Sequence, residues 1–104
     1  MKTYLAGPIS AHADWNAPAF RAEAMRLRAL GHDVVNPLEV NDGLEHQGWA
    51  ACMKRDLAVL ITCDAIQMLQ GWRASRGATL EHEIATALGL QVFYPESALV
   101  ALVD

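Results

Sequence analysis

A chain of 104 residues, 53% hydrophobic and 19% charged, has the apolar material for one compact core and is not disordered. A net charge of −4 and a pI near 5.4 exclude the basic footprint of a DNA- or RNA-binding protein, so no nucleic-acid polymer is expected as partner. A small anionic ligand stays open, because backbone N–H groups bind anions whatever the net charge. No apolar run approaches the ~20 residues of a membrane span. The N-terminal MKTYLAGPIS is also too short an apolar run for a signal peptide, so a cytoplasmic protein away from membranes is expected.

The whole chain, 1–104, reads as a single domain. KTYLAG is a short buried strand that stops at the turn Gly7-Pro8. DWNAPAFRAEAMRLRALG follows as a helix with Asp14 or Asn16 as cap, Pro18 in the first turn, Phe20, Ala24 and Leu27 as inner stripe, and Gly31 at the end. HDVVNP is a second strand. Residues 38–48, LEVNDGLEHQG, read as a loop. WAACMKRDLAVLITC is a second long helix, DAIQML a third strand and QGWRASRG a loop. SRGATLEHEIATALG is a third helix, LQVFYP a fourth strand, and ESALVALVD a short closing helix. Strands and helices alternate with short connections. That order predicts an α/β fold, a doubly wound, flavodoxin- or Rossmann-like four-stranded parallel sheet in the order 2-1-3-4 with helices on both faces.

Ligands of such sheets bind beyond the C-terminal strand ends, where the strand order reverses. The loops AGPIS, NPLEV and LQGWRASRG meet there. In SRGATLEHEIATALG, Gly77, Ala78, Ile84, Ala85 and Leu88 fall on one side at about 100° per residue, with Glu81 in their midst. A carboxylate there, one to two turns below the helix start, faces the sheet near the cleft. The helix dipole favours its ionised form and burial opposes it. The alternative is a rotated helix with Glu81 solvated beside Arg73 or Arg76. Tyr4, on the first strand, is placed to donate a hydrogen bond to Glu81, or else is an ordinary core tyrosine. Asp56 also borders an apolar stripe, or else lies at the surface bonded to Lys54 or Arg55.

Ser75 and Gly77 open the third helix and offer free N–H groups to an anion, besides serving as a plain N-cap. Trp15, Trp49 and Trp72 lie at loop or helix starts. Trp72 is the best placed to stack on a planar ligand, and sealing a self-association surface is the competing role. Cys52 and Cys63 sit in apolar segments as reduced, buried hydrophobes. There is no CxxC pair, His/Cys cluster, Walker A loop or GxGxxG turn, so no metal and no cofactor is expected.

YLAGPIS, RDLAVLITCDAI and SRGATLEHEIATALGLQVFY, with GHDVVNP and GW between them, resemble the nucleoside 2-deoxyribosyltransferase-like superfamily. Within it the chain is most similar to a short phage and bacterial branch of unassigned function. The resemblance spans nearly the whole chain. It implies cleavage of an N-glycosidic bond, with Glu81 attacking the anomeric carbon of a deoxyribose, Tyr4 orienting it, and Asp56 contacting the sugar or helping the base to leave. A serine at position 75, where transferases of the superfamily carry an acid, tilts the expectation toward a 2′-deoxynucleoside 5′-monophosphate hydrolase. Gly7, Ile9 and Ser10 of the first loop would join Ser75 and Gly77 in holding the phosphate. The chain departs from those hydrolases in lacking their arginine after the first-loop turn, for which Arg73 or Arg76 would have to substitute. A nucleoside deoxyribosyltransferase and a non-catalytic nucleotide-binding module are the alternatives. In each case the partner is a small nucleoside or nucleotide, and the resemblance also implies a homodimer or larger homo-oligomer.

Overall fold

A computed structural model describes residues 1–10 and 12–95. The closing helix expected over 96–104 lies outside them. Four parallel strands, β1 (Lys2–Ala6), β2 (Asp33–Val35), β3 (Ala65–Met68) and β4 (Gln91–Phe93), form one sheet in the order β2-β1-β3-β4. Tyr4 pairs in register with Val35 on one side and Ile66 on the other. The sheet is thus the expected one, and the strand order reverses between β1 and β3.

Both faces of the sheet are covered, so its central strands are buried along nearly their whole length rather than alternating. On one face α1 (Ala17–Ala29) packs Phe20, Ala24 and Leu27 against Leu5, Val34 and Leu69. On the other, α3 (Trp49–Leu60) and α4 (Arg76–Ala87) cover Tyr4, Ala6, Ile66 and Met68. Successive residues of a strand point to opposite faces, which is why Leu5 belongs to one core and Tyr4 and Ala6 to the other. Full burial of Leu5, Phe20, Leu60 and Ile66 contributes about 1.5–3 kcal/mol for each side chain.

Helix ends follow local chemistry. At the end of α1, Gly31 (φ +91°) lets His32 N–H reach back to the Leu27 carbonyl, 3.1 Å, and its own N–H bonds Arg28, 3.0 Å. Two segments differ from the sequence reading. Residues 38–48 are not a plain loop. Asn36 accepts a cap bond from Leu38 N–H and starts a short helix, α2 (Pro37–Val40), and a 3-10 turn follows at Glu45–Gln47. The entry to α1 is a 3-10 turn at Ala13–Asn16, in which Asp14, Trp15 and Asn16 are all left-handed, with φ between 53° and 61°. Neither Asp14 nor Asn16 makes a side-chain cap bond. The Asn16 amide donates to the Pro8 carbonyl instead, 2.9 Å, tying this turn to the first loop. Among the described residues, no helix is long and apolar enough to cross a membrane.

Candidate active site

Each of the two helices over the Tyr4 face buries one acid inside an apolar stripe. In α3 the stripe is Met53, Asp56 and Leu60; in α4 it is Ala78, Glu81 and Ala85. The spacing is the same, i, i+3, i+7, which is one face of a helix. Asp56 is 4% exposed and Glu81 5%. Neither is solvated, so the alternative placements beside surface arginines do not hold. Leu88, expected on the inner side of α4, is 56% exposed because it already caps the helix.

Tyr4 stands between the two acids. Its side chain leaves the middle of β1, rather than its end, toward α3 and α4, and its hydroxyl donates to Glu81 Oε2. The same hydroxyl lies near Asp56 and favours its ionised form. Burial, followed by the adjacent Glu81 and Asp56 charges, keeps the phenol protonated well above its usual range, so it remains a donor. Asn41, just after α2, donates to Asp56 Oδ1 at 2.7 Å.

Burial dominates both carboxyls. It pushes Glu81 up to about 8, against the Tyr4 hydrogen bond and with the help of the Asp56 charge. It pushes Asp56 up to about 6, against the hydrogen bond from Asn41, the Arg55 charge and the Tyr4 hydroxyl. The helix dipole does not rescue Glu81, because that field fades within the first turn and Glu81 lies in the second. Neutral pH therefore falls between the two values, and the pair shares one proton there.

A cleft of about 580 Å³, the size of a small-molecule site, opens onto both acids. Gly7, Ile9 and Ser10 of the first loop line it, as do Ser75 and Gly77 at the start of α4. Gly7 is required there by close approach, since a Cβ would sit 2.8 Å from Leu69 Cβ. Ser75 caps α4 by accepting from Ala78 N–H, 3.2 Å. Arg76 also lines the cleft, its guanidinium 3.9 Å from the centroid of the Trp49 ring. Arg73 instead lies over Trp72.

Trp72 does not line this cleft. It is 7% exposed and packs on His82, ring centroids 4.4 Å apart, with Tyr94 beyond. The 3-10 turn at Trp72–Ala74 points it into the protein. The indoles that do line the cleft are Trp15, 47% exposed, and Trp49. Cys52, expected as core, is half-buried on the cleft wall, whereas Cys63 is buried; both are free thiols. Asn41 and Glu45 were missed by sequence reasoning and also line the cleft. The cap at Asn36 and the helix-forming Pro37 were the local signals for the structure that carries Asn41. A second, larger cavity of about 940 Å³ lies between α1 and the ends of β3 and β4 and contains none of the three central residues. Among the described residues, no group of three or more His, Cys, Asp or Glu is arranged to hold a metal ion.

Two buried carboxyls sharing a proton, one oriented by a phenol, equip the cleft for attack at one atom and protonation of another. No curated protein matches the chain. Residues 1–94 match the model of the family described as a domain of unknown function, DUF4406, and the chain belongs to that family.

Proposed function

We propose that the protein cleaves the N-glycosidic bond of a 2′-deoxynucleoside 5′-monophosphate, with Glu81 as nucleophile and Asp56 as acid. The observation that carries this reading is the Tyr4–Glu81 hydrogen bond on the floor of a cleft that Asp56 also faces. The similarity of the sequence to nucleoside 2-deoxyribosyltransferase-like proteins supports it.

Departure of the base builds positive charge on the sugar, and an ionised carboxylate against the anomeric carbon stabilises it. The electron pair of the C–N bond leaves with the base, and the Asp56 proton passes to that base. The Glu81 oxygen bonds to the anomeric carbon. Water then attacks the same carbon, its proton returns to Asp56, and Glu81 is released as carboxylate. The reacting form needs Glu81 ionised and Asp56 protonated. In the empty cleft the shared proton favours Glu81, whose folded value is the higher. Positive charge growing on the sugar beside Glu81 draws the proton to Asp56.

The phosphate preference rests on the mouth of the cleft. Ser10, Ser75 and the α4 N-terminus offer donors, and Arg76 brings a cation. An acid at position 75 would repel a phosphate. Incubation with a panel of deoxynucleotides and deoxynucleosides tests the reading. Free base should be released, faster from the monophosphates, and Glu81→Ala should abolish release. No release from any member of the panel would overturn it. A new nucleoside formed on adding an acceptor base would mark a transferase instead.

A further inference from the structure

Asn41 is 6% exposed, and both its amide hydrogens and its side-chain oxygen are bonded. Its Nδ2 donates to the Pro37 carbonyl at 3.0 Å and to Asp56 Oδ1 at 2.7 Å. Its Oδ1 accepts from Arg55 Nε at 2.8 Å. An arginine has donors only. A flipped amide would set N–H against N–H at Arg55, and oxygen against oxygen at Pro37 and Asp56. Arg55 therefore locks the amide in one orientation. Arg55 is itself braced, with Nη1 donating to Gln47 Oε1 at 2.8 Å and Nη2 to Cys52 Sγ at 3.6 Å. The chain of donors runs from the turn at Glu45–Gln47, through α3 and Asn41, to the acid.

An amide that always presents N–H to Oδ1 favours that oxygen as the carbonyl of the acid, since the hydroxyl oxygen of a carboxyl is the poorer acceptor. We propose that Asn41 is a positioning residue that confines the Asp56 proton to Oδ2, and that Arg55 enforces this by fixing the Asn41 amide. The inference rests on Asp56 being the acid of the proposed cleavage. Its consequence is an acid with one donating oxygen. As the C–N bond breaks, the proton leaves Oδ2 for the base, and the charge left on the carboxylate is already met at Oδ1 by the Asn41 N–H. The groups that face Asp56 from other elements are Tyr4 of β1 and Glu81 of α4, besides Asn41 itself; Arg55 is on its own helix. Glu45 and His12 line the same cleft.

Carboxyl-carbon NMR titration of isotope-labelled aspartate, together with the pH profile of base release, tests this. Asn41→Leu keeps the volume and removes the donor. The Asp56 titration should move up by about one unit, and the acid limb of the profile should move with it, while KM stays within about twofold. Arg55→Lys, at a half-buried position, keeps the positive charge beside Asp56 but not the fixed Nε–H on Asn41 Oδ1, leaves Asn41 free to turn, and should shift Asp56 in the same direction. It serves also where Asn41→Leu does not fold. An Asp56 titration unmoved in a folded variant overturns the inference. The NMR arm reads Asp56 whether or not anything is cleaved, so a shift without base release from the wild type would sink the proposed activity and leave the placement of the proton standing.

Discussion

Asp56 and Glu81 were legible because each breaks a pattern: an acid inside an apolar helix stripe calls for a partner. The partner of Glu81 was legible too, since β1 had to run beside the cleft. Asn41 was not. Its bonds to Asp56 and Arg55 span 15 and 14 residues, and no periodicity in a polar segment encodes such a tertiary contact. Two outcomes belong to this scale. A productive site with one proton on the pair predicts a bell-shaped kcat/KM profile, its limbs near about 6 and about 8. Below the lower limb both acids carry a proton and neither can attack; above the upper both are ionised and there is no proton to give. Tyr4→Phe removes the bond that holds Glu81 down. It should raise the upper limb and lower kcat about tenfold to a hundredfold, which initial rates across pH would read.

The elements came through where periodicity sets them. The inner stripe of α1, the Glu81 face of α4 short of Leu88 and all four strands stand where apolar spacing placed them, because packing on a sheet leaves little choice of face. The departures are at turns. Trp72 looked like a ligand platform because it follows a strand, but a 3-10 turn rotates it onto His82. The left-handed run at Asp14–Asn16 has no sequence signal at Trp15, a residue that seldom adopts it. Gly7 and Gly77 serve different ends in the cleft wall, and their alanine variants should separate. In Gly7→Ala the new methyl meets Leu69 Cβ, which cannot swing away, and stability should fall by about 1–3 kcal/mol. In Gly77→Ala it meets the end of the flexible Met53 chain at 3.2 Å, and helix propensity favours alanine by up to about 1 kcal/mol, so stability should hold or rise. Denaturant midpoints of the two variants check both signs.

Over the whole molecule, burying Glu81 is a cost that depends on pH. In the folded chain Glu81 stays neutral up to about 8, while an unfolded glutamate ionises from about 4.5. Between those values unfolding releases a proton, so rising pH favours the unfolded chain. The stability is full below the lower value and is lost as pH rises through the upper. Glu81→Gln, which keeps the shape and carries no charge, should therefore stabilise the protein by about 5 kcal/mol near pH 9 and hardly at all near pH 4. Thermal melts at the two pH values would show a gain of about 20 °C at the higher. A gain of equal size at both would mean that Glu81 is not held neutral in the folded protein. Stability given up at one buried acid is the expected mark of a site kept for chemistry.

Rapid quenching during the first turnover, followed by mass analysis of the peptide that carries Glu81, tests that chemistry most directly. Attack by Glu81 predicts a deoxyribosyl-phosphate ester on that peptide, formed as the base is released and absent from Glu81→Gln. Base released at full rate with the peptide unmodified at every time point would contradict it.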